Sequence, residues 1–144
     1  MLRAMATDEK LALLKTVPLF AMCADREVER LGMLVEEVDV PAGRVLFKQG
    51  DTAQELFIVV SGQVRVERDG RVLANRGPGE FFGEIALVAE GPRTATATCV
   101  TDCRLLVLGH RDFHSLMDEF PGLKMRVLET LAKRVRALDT AAVH

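Results

Sequence analysis

The stretch from Gly79 to Ala97 reads GEFFGEIALVAEGPRTATA. The turn Gly77-Pro78-Gly79 leads into the short apolar piece Phe81-Phe82, then Gly83 and Glu84. Ile85 to Ala89 reads as one or two turns of helix, and Gly91-Pro92 delivers Arg93 and Thr94 into an alternating β run. Gly83 lets the backbone approach an anion with no Cβ in the way. The start of the short helix offers free N–H groups and the positive end of its dipole. Arg93 offers a fork of donors that suits phosphate oxygens, and Pro92 makes it leave a stiff corner. Glu84 repels phosphate but is a good acceptor for a sugar hydroxyl, so the set describes a sugar-phosphate and not a bare anion. A surface salt bridge between Glu84 and Arg93 is the plain alternative; the flanking glycines and the short helix weigh against it.

On both sides of this stretch, from Val38 to Leu108, apolar residues recur with a period of two. Val45 and Phe47 alternate between the turns Pro41-Ala42-Gly43 and Gln49-Gly50-Asp51. Leu56 to Val60 is nearly continuous and β-branched, the mark of a buried strand. Ser61-Gly62 is expected to join it to Val64–Arg68 in a tight hairpin. Asp69-Gly70 makes the strongest hairpin turn of the chain, returning through Arg71 to Asn75. Thr94, Thr96, Thr98 and Val100 alternate with Ala95, Ala97 and Cys99, and Arg104 to Leu108 closes the run. Short strands at this spacing mean a sandwich or a closed roll.

Helices flank the strands. Asp8 to Leu14 is expected as a helix capped by Thr7 or Asp8 and ended by Pro18. Leu19, Phe20, Met22 and Cys23 read as core filler. A second helix, capped by Asp25 and running to about Glu36, carries the stripe Val28, Leu31, Leu34 and Val35. After Gly109, His110 to Glu119 forms a helix, Phe120-Pro121-Gly122 interrupts it, and Leu123 to Leu138 is a long final helix. Val127, Leu128, Leu131, Val135 and Leu138 make its apolar stripe. Lys124, Arg126, Lys133, Arg134 and Arg136 read as a solvated basic face.

Composition narrows the function. The chain has 144 residues, 49% hydrophobic and 28% charged, with a net charge of -2. That is one globular domain without the basic excess of a nucleic-acid binder. No stretch is long enough to span a bilayer, and no signal peptide is evident. Three cysteines without framework spacing suggest a reducing cytoplasm. Cys99, Cys103, His110 and His114 tempt a zinc reading, but they fall in separate elements, and buried thiols are the better expectation; no metal is expected. A cupin-like enzyme would need histidines on the strands, and Val38 to Leu108 contains none.

The run F-G-E-I-A-L, a short spacer, then P-R-T-A-T resembles the phosphate-binding cassette of the cyclic-nucleotide-binding domain family, the sensor type of the bacterial cAMP receptor protein and the protein kinase A regulatory subunit. The resemblance extends from about Val17 to Ala137 and includes V-P-A-G-R-V-L-F-K-Q-G-D at Val40 to Asp51 and L-F-I-V-V-S-G-Q-V-R-V at Leu56 to Val66. It implies an eight-stranded β-roll of double-stranded β-helix or jelly-roll type. The expected divisions are helices over residues 8–36, the roll over 37–109 and C-terminal helices over 110–139, one domain in all. It implies that Gly83, Ile85 and Ala86 cradle the cyclic phosphate, that Arg93 pairs with its exocyclic oxygens beside Thr94, and that Glu84 takes the ribose 2′-hydroxyl. Val66, Leu73 and Ala74 would face the purine, with Leu138 folding over it where some relatives place a polar group.

The function implied is non-catalytic, reversible binding of a cyclic purine nucleotide. Thr94 could accept a bond from a guanine amino group, which favours cGMP. The apolar base pocket would leave guanine O6 and N1–H unpaired, which favours cAMP. The expected ligand is cAMP, with cGMP a competitor. In many relatives the last helix forms a dimer and lids the nucleotide, so a homodimer is expected. Relatives fuse the sensor to an output; here the output would lie in a separate effector protein, unless the chain is a stand-alone sensor or a fragment. A vestigial pocket serving only dimerisation is the rival reading, and the intact Gly83, Glu84 and Arg93 set argues against it.

Overall fold

The computed structural model describes residues 4–52, 54–83 and 91–143, with the side chains of residue 135 and of residues 137–143 left aside. Helix α1 spans Thr7–Thr16 and α2 spans Asp25–Leu34. Eight strands follow among the described residues: β1 Glu36–Val40, β2 Val45–Phe47, β3 Glu55–Ser61, β4 Val64–Arg68, β5 Arg71–Arg76, β6 Phe81–Phe82, β7 Thr96–Cys99 and β8 Cys103–Gly109. Helices α3, His110–Glu119, and α4, Pro121–Val143, close the chain. The strands form two antiparallel four-stranded sheets, ordered β1-β8-β3-β6 and β2-β7-β4-β5. This is the expected β-roll, mainly β with flanking helices.

The strand pairing overturns one expectation. β3 pairs with β8 and β6, while β4 pairs with β5 and β7, so Ser61-Gly62-Gln63 is a crossing between sheets and not a hairpin. The corner between β7 and β8 lies against it. Gln63 N–H donates to Thr101 Oγ1 at 3.0 Å, and Val100 N–H donates to the Gln63 carbonyl at 2.9 Å. Gly62 has φ +96°, and a Cβ there would stand 2.5 Å from the Asp102 carbonyl oxygen. A turn signal reports a change of direction; it does not report which strand the chain will pair with next. The Asp69-Gly70 turn does make its hairpin, with φ +51° and +79°, as a two-residue primed turn requires.

Two apolar interiors result. Leu56 and Ile58 of β3, with Leu106 and Leu108 of β8, face the helices and pack with Phe20, Val28, Leu31, Phe113, Leu116 and Leu123. Phe57 and Val59 face the other way, into the roll, with Phe47, Val64, Phe82, Ala97 and Leu105. Burial on both faces explains the unbroken apolar run of β3.

Helix ends differ in detail from expectation. The N-caps are Ala6 and Ala24, neither with a side-chain cap, so Thr7, Asp8 and Asp25 lie inside the first turns. Lys15 pairs with Asp25, and the Glu27 carboxylate accepts the Ala24 N–H at 2.7 Å in place of an Asp25 cap. α1 runs on to Thr16 and ends where Val17 turns extended ahead of Pro18. α2 stops at Leu34, releasing Glu36 to begin β1. Leu19 and Phe20 are core, but Met22 is 80% exposed. α4 turns Leu123, Val127 and Leu131, four residues apart, into the helix-side core; Met125 and Leu128 stay exposed.

Candidate ligand-binding site

Arg93 is the buried charge of the roll, only 6% exposed. Its Nη2 donates to the Glu55 carbonyl at 2.9 Å and its Nη1 to the Gly83 carbonyl at 3.3 Å. The guanidinium carbon lies 4.0 Å from the centroid of the Phe47 ring. Phe47 belongs to an aromatic group in which Phe57 and Phe82 stack at 5.2 Å. The Arg93 backbone is clamped as well: its N–H donates to the Asp51 carbonyl at 2.6 Å, and its carbonyl accepts from Gly50 N–H at 2.8 Å. A cation this deep needs such compensation, which carbonyl dipoles and a ring face supply in part.

Gly83 completes the cradle. Its φ is +83°, and a Cβ would stand 2.8 Å from the Glu55 carbonyl oxygen and 2.9 Å from Arg93 Nη1. No other residue type fits there without displacing backbone. Gly83 and Arg93, ten residues apart, therefore meet at the start of β3, which explains why both a glycine and an arginine are needed in this stretch. Glu84, Ile85 and Ala86 lie outside the described residues, as does the Leu138 side chain.

The remaining expected residues sit on β4, β5 and the edge of β7. Thr94 is exposed, and its carbonyl accepts from Arg68 Nε at 2.8 Å. Val66 and Ala74 are cross-strand partners, both half-buried, and Val66 packs against the roll interior. Leu73 falls where the β4–β5 register shifts and is 50% exposed. The register thus brings Val66 and Ala74 together and sets Leu73 apart from them. Cys99 and Cys103 are buried free thiols and Cys23 is half-buried: burial, aided by the Cys103 side chain, pushes the Cys99 thiol up to about 12, and partial burial followed by the Glu27 charge pushes the Cys23 thiol up to about 11. No group of three or more His, Cys, Asp or Glu side chains among the described residues could hold a metal ion. No described helix is long and apolar enough to cross a membrane.

A family model described as the cyclic nucleotide-binding domain matches residues 37–120, a span that holds Gly83, Arg93 and the whole clamp around them. The chain belongs to the cyclic nucleotide-binding domain family. It is 38% identical over 131 residues to the cyclic AMP receptor protein of Thermus thermophilus, covering 88% of this chain and 61% of that protein. The chain thus spans less than two thirds of that receptor's length. Among solved structures it is similar to the N-terminal domain of a transcriptional regulator from Streptomyces coelicolor A3(2), with a TM-score of 0.76 and 37% identity over 90% of this chain and 96% of that one. It is also similar to the regulatory domain of Toxoplasma gondii PKA with cAMP, with a TM-score of 0.72 and 32% identity over 76% of this chain and 44% of that one. This cyclic nucleotide-binding domain is therefore related to both the bacterial receptor and the kinase regulatory branches.

Some residues of this domain escape a reading of sequence alone. Arg134, expected on a solvated face, donates from Nη2 to the Phe81 carbonyl at 3.0 Å and lies 4.0 Å over the Phe81 ring. It thereby ties α4 to the strand that ends one residue before Gly83. Arg126 pairs with the buried Glu27 at 2.6 Å and ties the same helix to α2. Both face the body of the protein on the side next to Val127 and Leu131, which the helical period could have indicated. Nothing local marks Gln49, whose side chain reaches the β4–β5 hairpin.

Proposed function

We propose that this domain is a non-catalytic sensor that prefers cAMP to cGMP and relays its occupancy through α3 and α4. The observation that carries the reading is Arg93, a buried guanidinium held by two carbonyls and a ring beside a glycine that leaves no room for a Cβ. Such a preorganised cation suits the singly charged phosphate of a cyclic nucleotide. Gly83 and the N–H groups of Ile85 and Ala86 would hold the same phosphate, with Thr94 beside it and Glu84 on the ribose 2′-hydroxyl. Val66 and Ala74 would carry the base, with Leu73 at the margin and Leu138 above it. An apolar base pocket leaves guanine O6 and N1–H unpaired at about 1–3 kcal/mol each, which one bond from Thr94 does not offset.

The contact of Arg134 with Phe81 supports a relay, since it joins the last helix to the strand leading into Gly83. Met125 and Leu128, 59% and 41% exposed on α4, support a homodimer through that helix. A cytoplasmic setting and an output in a separate effector complete the reading. Calorimetric titration with cAMP, cGMP and 5′-AMP tests it. Binding of cAMP more tightly than cGMP, with 5′-AMP far weaker, is expected; cGMP binding as tightly as cAMP would overturn the preference. Thr94→Ala should weaken cGMP selectively. Sedimentation showing only monomer at high micromolar concentration, with and without ligand, would remove the dimer.

A further inference from the structure

The β2–β3 loop and the β4–β5 hairpin are joined by one side chain. Gln49 Nε2 donates to Asp69 Oδ1 at 3.1 Å, and Asp69 N–H donates back to Gln49 Oε1 at 3.2 Å. This amide-to-turn pair imitates the two-way exchange of a backbone ladder, across twenty residues of sequence. The backbone of the same loop grips the arginine segment. Gln49 N–H donates to Thr96 Oγ1 at 2.9 Å, and Gly50 N–H and the Asp51 carbonyl hold Arg93. From the hairpin side, Arg68 Nε holds the Thr94 carbonyl. The Asp69 turn has a positive φ, so its amide and carboxylate are presented in a fixed geometry.

We propose that Gln49 is a positioning residue of the nucleotide site: its clasp on Asp69 docks the hairpin that carries Val66 and Ala74 onto the loop that holds Arg93. The proposal rests on the reading of this pocket as a cyclic-nucleotide site. The base-bearing strands and the phosphate-bearing arginine come from different parts of the chain. A ligand that spans both binds best when their separation is set beforehand, and the clasp sets it without touching the ligand.

The test combines amide exchange with titration of cAMP into the full chain. In Gln49→Ala the Asp69 amide should exchange faster without ligand, and affinity should fall about three- to tenfold, the range of one or two exposed hydrogen bonds. Gln49→Glu sets a carboxylate against Asp69 and should weaken binding at least as much. Adding Asp69→Asn restores one acceptor side chain facing one donor, tolerates the positive φ and returns the net charge to that of the wild type; affinity should recover to within about twofold. Recovery ties the effect to the Gln49–Asp69 clasp itself and not to local charge, and denaturant unfolding of the same variants shows whether affinity changes while stability does not. Unchanged exchange at Asp69 or unchanged affinity in Gln49→Ala would overturn the proposal, as would a double variant as weak as Gln49→Glu. Failure of the wild type to bind any cyclic nucleotide would instead bring down the reading of the pocket, and this proposal with it.

Discussion

Strand β3 sends Leu56 and Ile58 toward the helices and Phe57 and Val59 into the roll, and the two interiors it divides are built differently. On the helix side the packed side chains are apolar apart from Glu27, whose carboxylate is met by Arg126, and the Arg30–Glu119 pair stays at the surface. On the roll side, the Phe47 ring, itself packed on Phe57 and Phe82, carries the Arg93 guanidinium between carbonyl oxygens. Burying a cation costs free energy that a packed aliphatic core would not. The helix-side interior is built mainly for apolar packing, while the roll interior gives up part of its stability to hold one buried guanidinium. The lesson is that two apolar faces of one strand take separate roles once a single side chain and the backbone around it break the pattern.

Four measurements test that division. Phe20→Ala, in the helix-side interior, should lose about 3–5 kcal/mol in denaturant unfolding while the folded fraction keeps its nucleotide affinity within about twofold. A tenfold or greater affinity loss in the folded fraction would show that the interiors are not separate. Gly83→Ala should cost about 1–3 kcal/mol of stability, because it places a Cβ against the Glu55 carbonyl at a positive φ, and it should abolish tight binding as well. A variant as stable and as tight as wild type would mean that the cradle is not rigid. Arg93→Ala should weaken cAMP binding at least about tenfold, roughly 1.4 kcal/mol, and leave unfolding far closer to wild type than Phe20→Ala does. An unchanged dissociation constant would remove Arg93 from the site.

The smallest effect concerns β1, at the edge of its sheet. The Arg104 hydrogen bond holds the Asp39 carboxyl below its usual range. A depressed carboxyl adds stability that is present above its unfolded pKa and is lost as pH falls through the folded value. Asp39→Asn should therefore lower stability slightly at neutral pH, and the difference from wild type should vanish only once pH has fallen through the depressed folded value. A larger drop in the acid limb than at pH 7 would reverse the sign and sink the assignment.

Much of the fold was legible because its signals are local. His110–Glu119 forms the helix expected after Gly109, though the break expected over Phe120-Pro121-Gly122 shrinks to Phe120 because Pro121 starts α4 in the first-turn position that suits proline, and the Asp69-Gly70 turn makes its hairpin. The crossing at Gly62 was not legible, since its meaning depends on Thr101 and Asp102, about forty residues away. The roles of Gln49 and Arg134 were hidden for the same reason. Each looks like an ordinary surface polar residue until the partner is brought within hydrogen-bond reach.

From the residues alone came the alternation, the turns, the helix limits to within a few positions, and the pairing of Gly83 with Arg93 in one stretch that belongs to the cyclic nucleotide-binding domain family. Those follow from backbone sterics and side-chain periodicity over a few neighbours. Only the tertiary structure decided that β3 and β4 belong to different sheets, and that Val66 and Ala74 stand together while Leu73 stands apart. It also decided that Arg93 lies on Phe47 and that Arg126 and Arg134 fasten the last helix to the body. These contacts are made between residues far apart in the chain, and their free energy depends on burial and direction, which no local pattern encodes.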